Sequence, residues 1–312
     1  MKVIYGIGRD RKIFNNGVLA IGVFDGLHIG HQKLIKAAVK KAQLRGGPAM
    51  VMTFYPHPVE VLHPQDCMPY VVSLPHRLEL MKRLGVAACI VVRFTKRFSQ
   101  LSADQFIKRY LVESIRPREV FVGHDFRFGN QRSGTIEYFK KAGRQYGFHV
   151  HCISSVKWGR EKIGSSRIRR LVAAGKLDAA QCLLGRYVAV MGKVQKGDRR
   201  GKNLGFPTAN IYPQNTVIPP IGVYAVRVIV NEYRYDGMAN IGRRPSFHSQ
   251  DNNINIEVHI FNFHKILYNK NIIIEFVKKI RNERVFASTE ELIAQLKRDH
   301  IKSILILNNL RK

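Results

Sequence analysis

Two hydrophobic periods divide this chain of 312 residues. Up to Leu184, short apolar runs alternate with segments whose apolar residues recur at helical spacing. Val18 to Phe24 (VLAIGVF) reads as a buried strand. His31 to Leu44 reads as a helix with Leu34, Ala38 and Ala42 on one face, stopped by Gly46, Gly47 and Pro48. AMVMTF, ACIVVRF, EVFVG and FHVHCI follow as strands, with helices expected at Leu74 to Leu84, from Ser102 to about Ile115, and at Thr135 to Tyr146. Ser102 and Gln105 have the spacing of a capping box. Repeated β-α units need a parallel sheet covered by helices on both faces. After Gly185 the runs YVAVMGKV, GVYAVRVIV, INIEVHIF and NIIIEFV are short and separated by Gly and Pro, which predicts an antiparallel barrel or sandwich. Ser288, Thr289 and Glu290 then open a terminal helix through about Leu307. The expected class is α/β plus β, with domains 1–186 and 187–312.

Composition narrows the functions. The four cysteines, Cys67, Cys89, Cys152 and Cys182, form no C-x-x-C pair, so neither a zinc ribbon nor a disulfide framework is expected. No run approaches the roughly 20 apolar residues that span a bilayer, and the N-terminal stretch lacks the apolar core of a signal peptide. A soluble cytoplasmic protein is expected. Lys and Arg number 52 against 22 Asp and Glu, a net charge of +30. Such an excess can mark a nucleic-acid binder, but here it is spread along the chain with no basic arm or tail. A solvated surface that steers small anions fits better.

The stretch GVFDGLHIGH (22–31) stands where a strand hands over to a helix. Ligands of open α/β sheets sit beyond the carboxyl ends of the strands, and a helix N-terminus there favours anions. Gly22, Gly26 and Gly30 permit close backbone approach, and His28 and His31 can face one bound anion. Zinc ligation or helix capping are the competing readings of two histidines three apart. Within strand–GxFDGxHxGH–helix, phosphate binding is favoured.

GVFDGLHIGH resembles the signature of the nucleotidyltransferases. With TFYPHP (53–58), VGHDFRFGNQRSG (122–134), SSRIRRL (165–171), GKNLGFPTAN (201–210), MANIGRRPSF (238–247) and IEVHIFNF (256–263), it is similar to the bacterial bifunctional riboflavin kinase/FAD synthetase family, in that family's order across nearly the whole chain. The resemblance implies a Rossmann-like nucleotidyltransferase domain followed by a riboflavin kinase barrel. The barrel would use ATP and Mg²⁺ to phosphorylate riboflavin to FMN. The first domain would then transfer AMP from ATP to FMN, giving FAD.

Candidate residues follow. Adenylyl transfer needs no enzyme nucleophile, only in-line placement and neutralised charge. His28 and His31 suit the ATP phosphates, within a motif that includes Gly22, Phe24, Asp25 and Gly30. Ser165, Ser166 and Arg169 open a helix suited to the departing pyrophosphate. There the chain reads Gly164-Ser165-Ser166-Arg167-Ile168-Arg169 where the family reads S-S-T-x-I-R. The resemblance puts the flavin and phosphate of FMN near Pro56, His57 and Pro58. Asp125 and Arg127 are candidates for nucleotide or flavin contacts, or form a local Asp–Arg pair. In INIEVHIF, alternation sets Glu257 with Asn255 and His259 on the polar face, where a carboxylate can take the proton of a ribityl hydroxyl. Thr208 and Asn210, on alternate positions, offer oxygen to Mg²⁺. Gly192, Gly197, Gly201 and Gly205 have the spacing of the family's kinase loop, and Arg281 matches a family arginine near flavin and nucleotide. Asn262, Asn269 and Ser246 replace the family's usual Asp, Gly and Thr. The alternatives are a kinase with weakened adenylyl transfer and a nucleic-acid binder on the same fold. The expected partners are the small-molecule substrates, with no membrane, and the sequence leaves the oligomeric state open, a monomer included.

Overall fold

The structure is a computed structural model that describes residues 1–6, 16–196, 201, 204–213, 216–243 and 254–310. The chain packs as two compact units, Met1–Met68 with Leu74–Ser165, and Pro69–Ser73 with Ser166–Lys312.

The first unit runs β1 (Lys2–Tyr5), β2 (Val18–Ile21), α1 (Ile29–Leu44), β3 (Ala49–Tyr55), α2 (Pro58–Leu62), α3 (Leu74–Arg83), β4 (Ala88–Arg93), α4 (Lys96–Ser99), α5 (Ala103–Phe106), β5 (Glu119–Gly123), α6 (Ile136–Tyr146), β6 (His149–Ile153) and a hairpin of β7 (Lys157–Trp158) and β8 (Glu161–Lys162). The six long strands form one parallel sheet in the order β1-β4-β3-β2-β5-β6. Alternate side chains of β2 and β3 go to opposite cores. Leu19, Ile21, Met50 and Met52 meet Phe106, Ile107 and Leu111, while Val18, Ala20 and Val51 meet Leu34, Ile35 and Ala38 of α1. Each of these Val, Leu, Ile, Met and Phe side chains, fully buried, contributes about 1.5–3 kcal/mol. That is why β2 and the Ala49–Met52 run of β3 are apolar without a break.

Three local outcomes differ from expectation. The first strand stops at Ile21 rather than Phe24, because Phe24 takes a left-handed backbone (φ 53°) that cannot continue a pleat. Helix α1 starts at Ile29, two residues before the expected His31, because His28 caps it. The capping box at Ser102 and Gln105 forms, but from Ile107 to Ile115 the helix widens to π geometry, and the Arg116 N–H bonds back to the Leu111 carbonyl.

The second unit contains α7 (Ser165–Ala173), α8 (Leu177–Leu184), β9 (Val188–Gln195), β10 (Ala209–Ile211), β11 (Gly222–Val230), β12 (Tyr233–Arg243), β13 (Ile254–Ile260), β14 (Asn271–Arg281) and α9 (Thr289–Asn308). Its strands close an antiparallel barrel in the order β10-β13-β12-β11-β14-β9. On β11, Tyr224, Val226 and Val228 are fully buried, while alternate residues Val223 and Ala225 pack with Leu307 of α9. Ser288 caps α9 by accepting from the Glu291 N–H. Helix α8 packs on β9 and β14, and Tyr70 bridges Thr216, so these segments join the barrel although their sequence pattern belongs to the first half. The α/β-plus-barrel class expected from sequence is the observed one. Strands β1, β7, β8 and β12 were not among the predicted runs, and β10 carries Asn210 but begins after Thr208. In β12, Asp236, Gly237 and Gly242 interrupt any apolar alternation.

Candidate active sites

The chain leaves β2 toward β3 and β4 on one side and returns to set β5 on the other. That reversal is a topological switch point, whose crevice lies beyond the carboxyl ends of the strands. GVFDGLHIGH is the loop at that end of β2.

The loop is held from beneath. The Val23 carbonyl accepts from Thr53 Oγ1 at 2.8 Å and from Arg77 Nη1 at 2.9 Å. Arg77 is fully buried, with Nη2 4.0 Å from the buried Asp25 carboxylate. The Asp25 carbonyl accepts from Ser165 Oγ at 2.8 Å. These bonds fix Phe24 (φ 53°) and Leu27 (φ 41°) in a region that residues with a side chain avoid, a cost of roughly 1–3 kcal/mol each. Phe24 is buried in the core and turns its ring edge to His31, with centroids 5.4 Å apart, so its side chain supports the loop from below.

His28 is the N-cap of α1. Its Nδ1 accepts from the His31 N–H at 3.3 Å, and the two imidazoles stack at 3.6 Å. An accepting Nδ1 puts the ring proton on Nε2, which makes Nε2–H a donor. Capping and anion binding are therefore compatible in one ring. A Cβ at Gly30 would lie 3.2 Å from the His28 ring, so glycine there seats the histidine. At Gly22 a Cβ would meet the Phe24 ring at 3.0 Å.

The other candidates of this unit lie on nearby loops. Pro56, His57 and Pro58 lead from β3 into α2, where His57 Nδ1 accepts from the Val59 N–H. Asp125 does not pair with Arg127, the local alternative read from sequence. It pairs with Lys162 of the β7–β8 hairpin at 3.1 Å. Burial alone would raise the Asp125 carboxyl, but the Lys162 bond and charge outweigh it and hold it below the usual range. Arg127 Nη1 donates to the Phe126 carbonyl at 3.4 Å. Ser166 and Arg169 belong to the second unit, where Ser166 is exposed on the first turn of α7 and Arg169 Nε donates to the Pro69 carbonyl at 2.8 Å.

The barrel carries a cavity of about 270 Å³. Thr208, Asn240, Glu257 and His259 form polar wall, and Leu204, Phe206, Met238, Phe286 and Leu296 form apolar wall. Glu257 sits on β13 between Asn210 of β10 and Asn240 of β12 in register. Its face is the one expected, since Ile256, Val258 and Ile260 point into the core. His259 Nδ1 is 2.8 Å from the Pro207 carbonyl, so Nδ1 carries the proton, and burial pushes the imidazole below its usual range against that bond.

Asn210 is buried and is not among the residues lining the cavity; its Oδ1 accepts from Asn255. Gly192 is not in a flexible loop. It lies within β9, where a Cβ would fall 2.2 Å from Ile211, so barrel closure requires the glycine. Gly201 lines the cavity, and Gly205 has φ 81° in the turn before Phe206. Gly197 and Ser246 lie outside the described residues. Arg281 lines the cavity, but its Nε and Nη2 donate to buried Asp299 of α9 at 2.9 and 2.8 Å. Asn262 (φ 51°) and Asn269 (φ 63°) take left-handed turns, which asparagine tolerates better than other side chains. Sequence reading missed Arg77, Thr53, Asn240 and Asp299 as parts of these sites.

The fold and cavities define a chain with a nucleotidyltransferase-type sheet and a flavokinase-type barrel. A family model for FAD synthetase matches residues 10–167, and one for riboflavin kinase matches residues 184–307. The chain is 38% identical over 303 residues to the bifunctional riboflavin kinase/FMN adenylyltransferase of Escherichia coli strain K12, covering 96% of each. It is 37% identical to that of Bacillus subtilis strain 168, covering 95% of this chain and 94% of that one. A crystal structure described as a macrolide-efflux protein from Streptococcus pneumoniae superposes with TM-score 0.80 at 30% identity, covering 97% of this chain and 99% of that one. Among the described residues no helix is long and apolar enough to cross a membrane. The chain belongs to the bifunctional riboflavin kinase/FMN adenylyltransferase family, with both enzymatic domains present. That favours the two-activity reading over a kinase alone or a nucleic-acid binder.

Proposed function

We propose that this chain makes FMN in its barrel and FAD on its parallel sheet, the catalytic domains being 1–186 and 187–312. The observation that carries the reading is the barrel cavity, where Glu257 and Thr208 face an apolar wall. Riboflavin is a flat apolar ring with a hydroxylated tail, and such a cavity sorts its two ends. Glu257 takes the proton of the terminal ribityl hydroxyl. That oxygen bonds to the γ-phosphorus of ATP as the bond to ADP breaks, and the product is FMN. Residues held in line supply most of the acceleration in such a transfer.

The donor set suits Mg²⁺. Thr208 Oγ1 and Asn210 Oδ1 are neutral oxygens, and the Asn210 carbonyl, already accepting from Asn255, has a second lone pair. Among the described residues no group of three or more His, Cys, Asp or Glu could hold a metal alone. Mg²⁺ characteristically shares its shell with water and phosphate oxygens, and when bound it would neutralise the ATP phosphates. Arg281, anchored by Asp299, borders the same cavity and serves flavin or nucleotide.

On the sheet, a phosphate oxygen of FMN attacks the α-phosphorus of a second ATP and pyrophosphate leaves. His28 Nε2–H and His31 donate to the ATP phosphates at the N-terminus of α1. Ser165, Ser166 and Arg169 serve the pyrophosphate, and the loop of Pro56, His57 and Pro58, with Asp125 and Arg127, serves the flavin or nucleotide. We place the enzyme in the cytoplasm, where ATP is supplied and its four free cysteines stay reduced.

Incubation of the purified chain with riboflavin, ATP and Mg²⁺ tests this. Flavins separated over time should show FMN rising first and FAD following. Riboflavin left unchanged, or FMN without FAD, contradicts the two-reaction assignment.

A further inference from the structure

Asn255, Glu257 and His259 share the polar face of β13, yet only Asn255 of the three is buried, at 5% exposure. Burying a carboxamide is costly unless its hydrogen-bonding groups are engaged. Here the amide nitrogen makes both bonds, while the buried Oδ1 has no hydrogen-bond partner among the described residues. Asn255 Nδ2 donates to Asn210 Oδ1 at 2.9 Å and to Glu257 Oε1 at 3.1 Å. Chemistry fixes the amide's orientation, since an ionised carboxylate only accepts and the group facing it has to be NH₂. The cross-strand neighbour of Asn255 on β12 is Gly242, so no side chain opposes it there.

We propose that Asn255 is a positioning residue for phosphoryl transfer, a single carboxamide that holds the Glu257 carboxylate and the Asn210 side chain in fixed relation. The proposal rests on the assignment of Glu257 as the base. A glutamate has three side-chain torsions, and a half-buried one on a strand samples several rotamers. A base has to be held to within about 0.5 Å of its productive position. Residues two apart on a strand lie on one face, close enough for a bridged pair. The Asn255 bond adds a fixed donor to one oxygen of the Glu257 carboxylate and so restricts its rotamers. Because the second N–H goes to Asn210 on the neighbouring strand, motion of either partner is resisted by the other.

Asn255→Leu keeps the volume and removes both bonds, and Asn255→Ser restores one donor. Riboflavin phosphorylation, riboflavin binding without ATP (by quenching of flavin fluorescence) and FMN adenylylation would be measured on the full chain. Asn255→Leu should lower kcat for FMN formation about tenfold or more, with riboflavin binding within twofold and adenylylation unchanged. Asn255→Ser should recover part of that loss. In a Glu257→Gln background, read under single turnover, Asn255→Leu should cost little more, because residues that act through one another are not additive. An unchanged kcat in Asn255→Leu overturns the proposal, and so does a full extra tenfold loss in the Glu257→Gln background. A kcat loss that merely parallels lost riboflavin binding marks a structural residue and overturns it too. If Glu257→Gln itself phosphorylates normally, the base assignment fails instead, which separates the two failures.

Discussion

At the scale of single residues, the tautomer of His28 makes its capping role compatible with the proposed phosphate role. Its Nδ1 closes the first turn of α1, and the same bond leaves Nε2–H to donate. Replacing His28 and His31 by alanine should therefore abolish FAD formation from FMN and spare FMN formation. One lost donor of this type costs roughly 2.7–4 kcal/mol of transition-state stabilisation, and a stacked pair need not add. Stability should fall by only about 1 kcal/mol, the worth of a cap, since Leu34, Ala38 and Ala42 keep their packing. Flavin chromatography and a thermal melt check both, and a stable variant with normal FAD synthesis would refute the phosphate role. The placement of His28 and His31 at the start of α1, and of Glu257 on the polar face of β13, was legible in the sequence because each lies in a contiguous pattern. Arg77 and the Asn255–Asn210 bond were not. Arg77 holds a carbonyl 54 positions away and Asn255 an amide 45 positions away. In LPHRLELMKR, Arg77 has the look of a solvated helix charge, and only the fold shows it fully buried.

Elements of the sheet are tied at the end away from the histidines. Glu119 opens β5, is buried, and accepts from Arg45 Nε at 2.6 Å, while His151 Nε2 of β6 lies 2.5 Å from it and Lys41 3.6 Å. Burial alone would raise its carboxyl, but the bonds from His151 and Arg45 and the charges of Arg45 and Lys41 outweigh that and lower it below the ordinary 4.5. A carboxyl depressed in the folded state stabilises it above the unfolded value, and that contribution disappears as pH falls through the folded value. Glu119→Gln should lower the stability of the first unit at pH 7 by about 1–3 kcal/mol, the range for hydrogen bonds to charged groups. The difference should shrink below the ordinary value of 4.5. Trp158, the one tryptophan of the chain, lies in the β7–β8 hairpin and reports that unit's unfolding by fluorescence. A deficit that persists undiminished at pH 3 would contradict the linkage. Elements with a clean period or cap were readable, as α1, α6 and α9 show. The bend after Ile21 was not, because Val23 and Phe24 continue an apolar run. Their backbone is set by Thr53 and Arg77, far along the chain.

For the whole molecule, the change of period at Gly185 foretold two architectures, but packing groups Ser166–Leu184 with the barrel. Helix α8 is amphipathic by its own sequence, and nothing in it says which core its Leu183 and Leu184 enter. A fragment 166–312 should therefore melt higher than 187–312, through the burial of α8 on β9 and β14, while both form FMN. Equal melting points would show that α8 contributes nothing to the barrel. The central claim is that two reactions run on separate residue sets of one chain. Its most direct measurement gives Glu257→Gln, in parallel reactions with ATP and Mg²⁺, either riboflavin or FMN. The account predicts FMN formation reduced about 10²–10⁴-fold, as for loss of a general base, with FAD formation from supplied FMN at the rate of the unaltered chain. Normal FMN formation, or equal loss of both products, would contradict it.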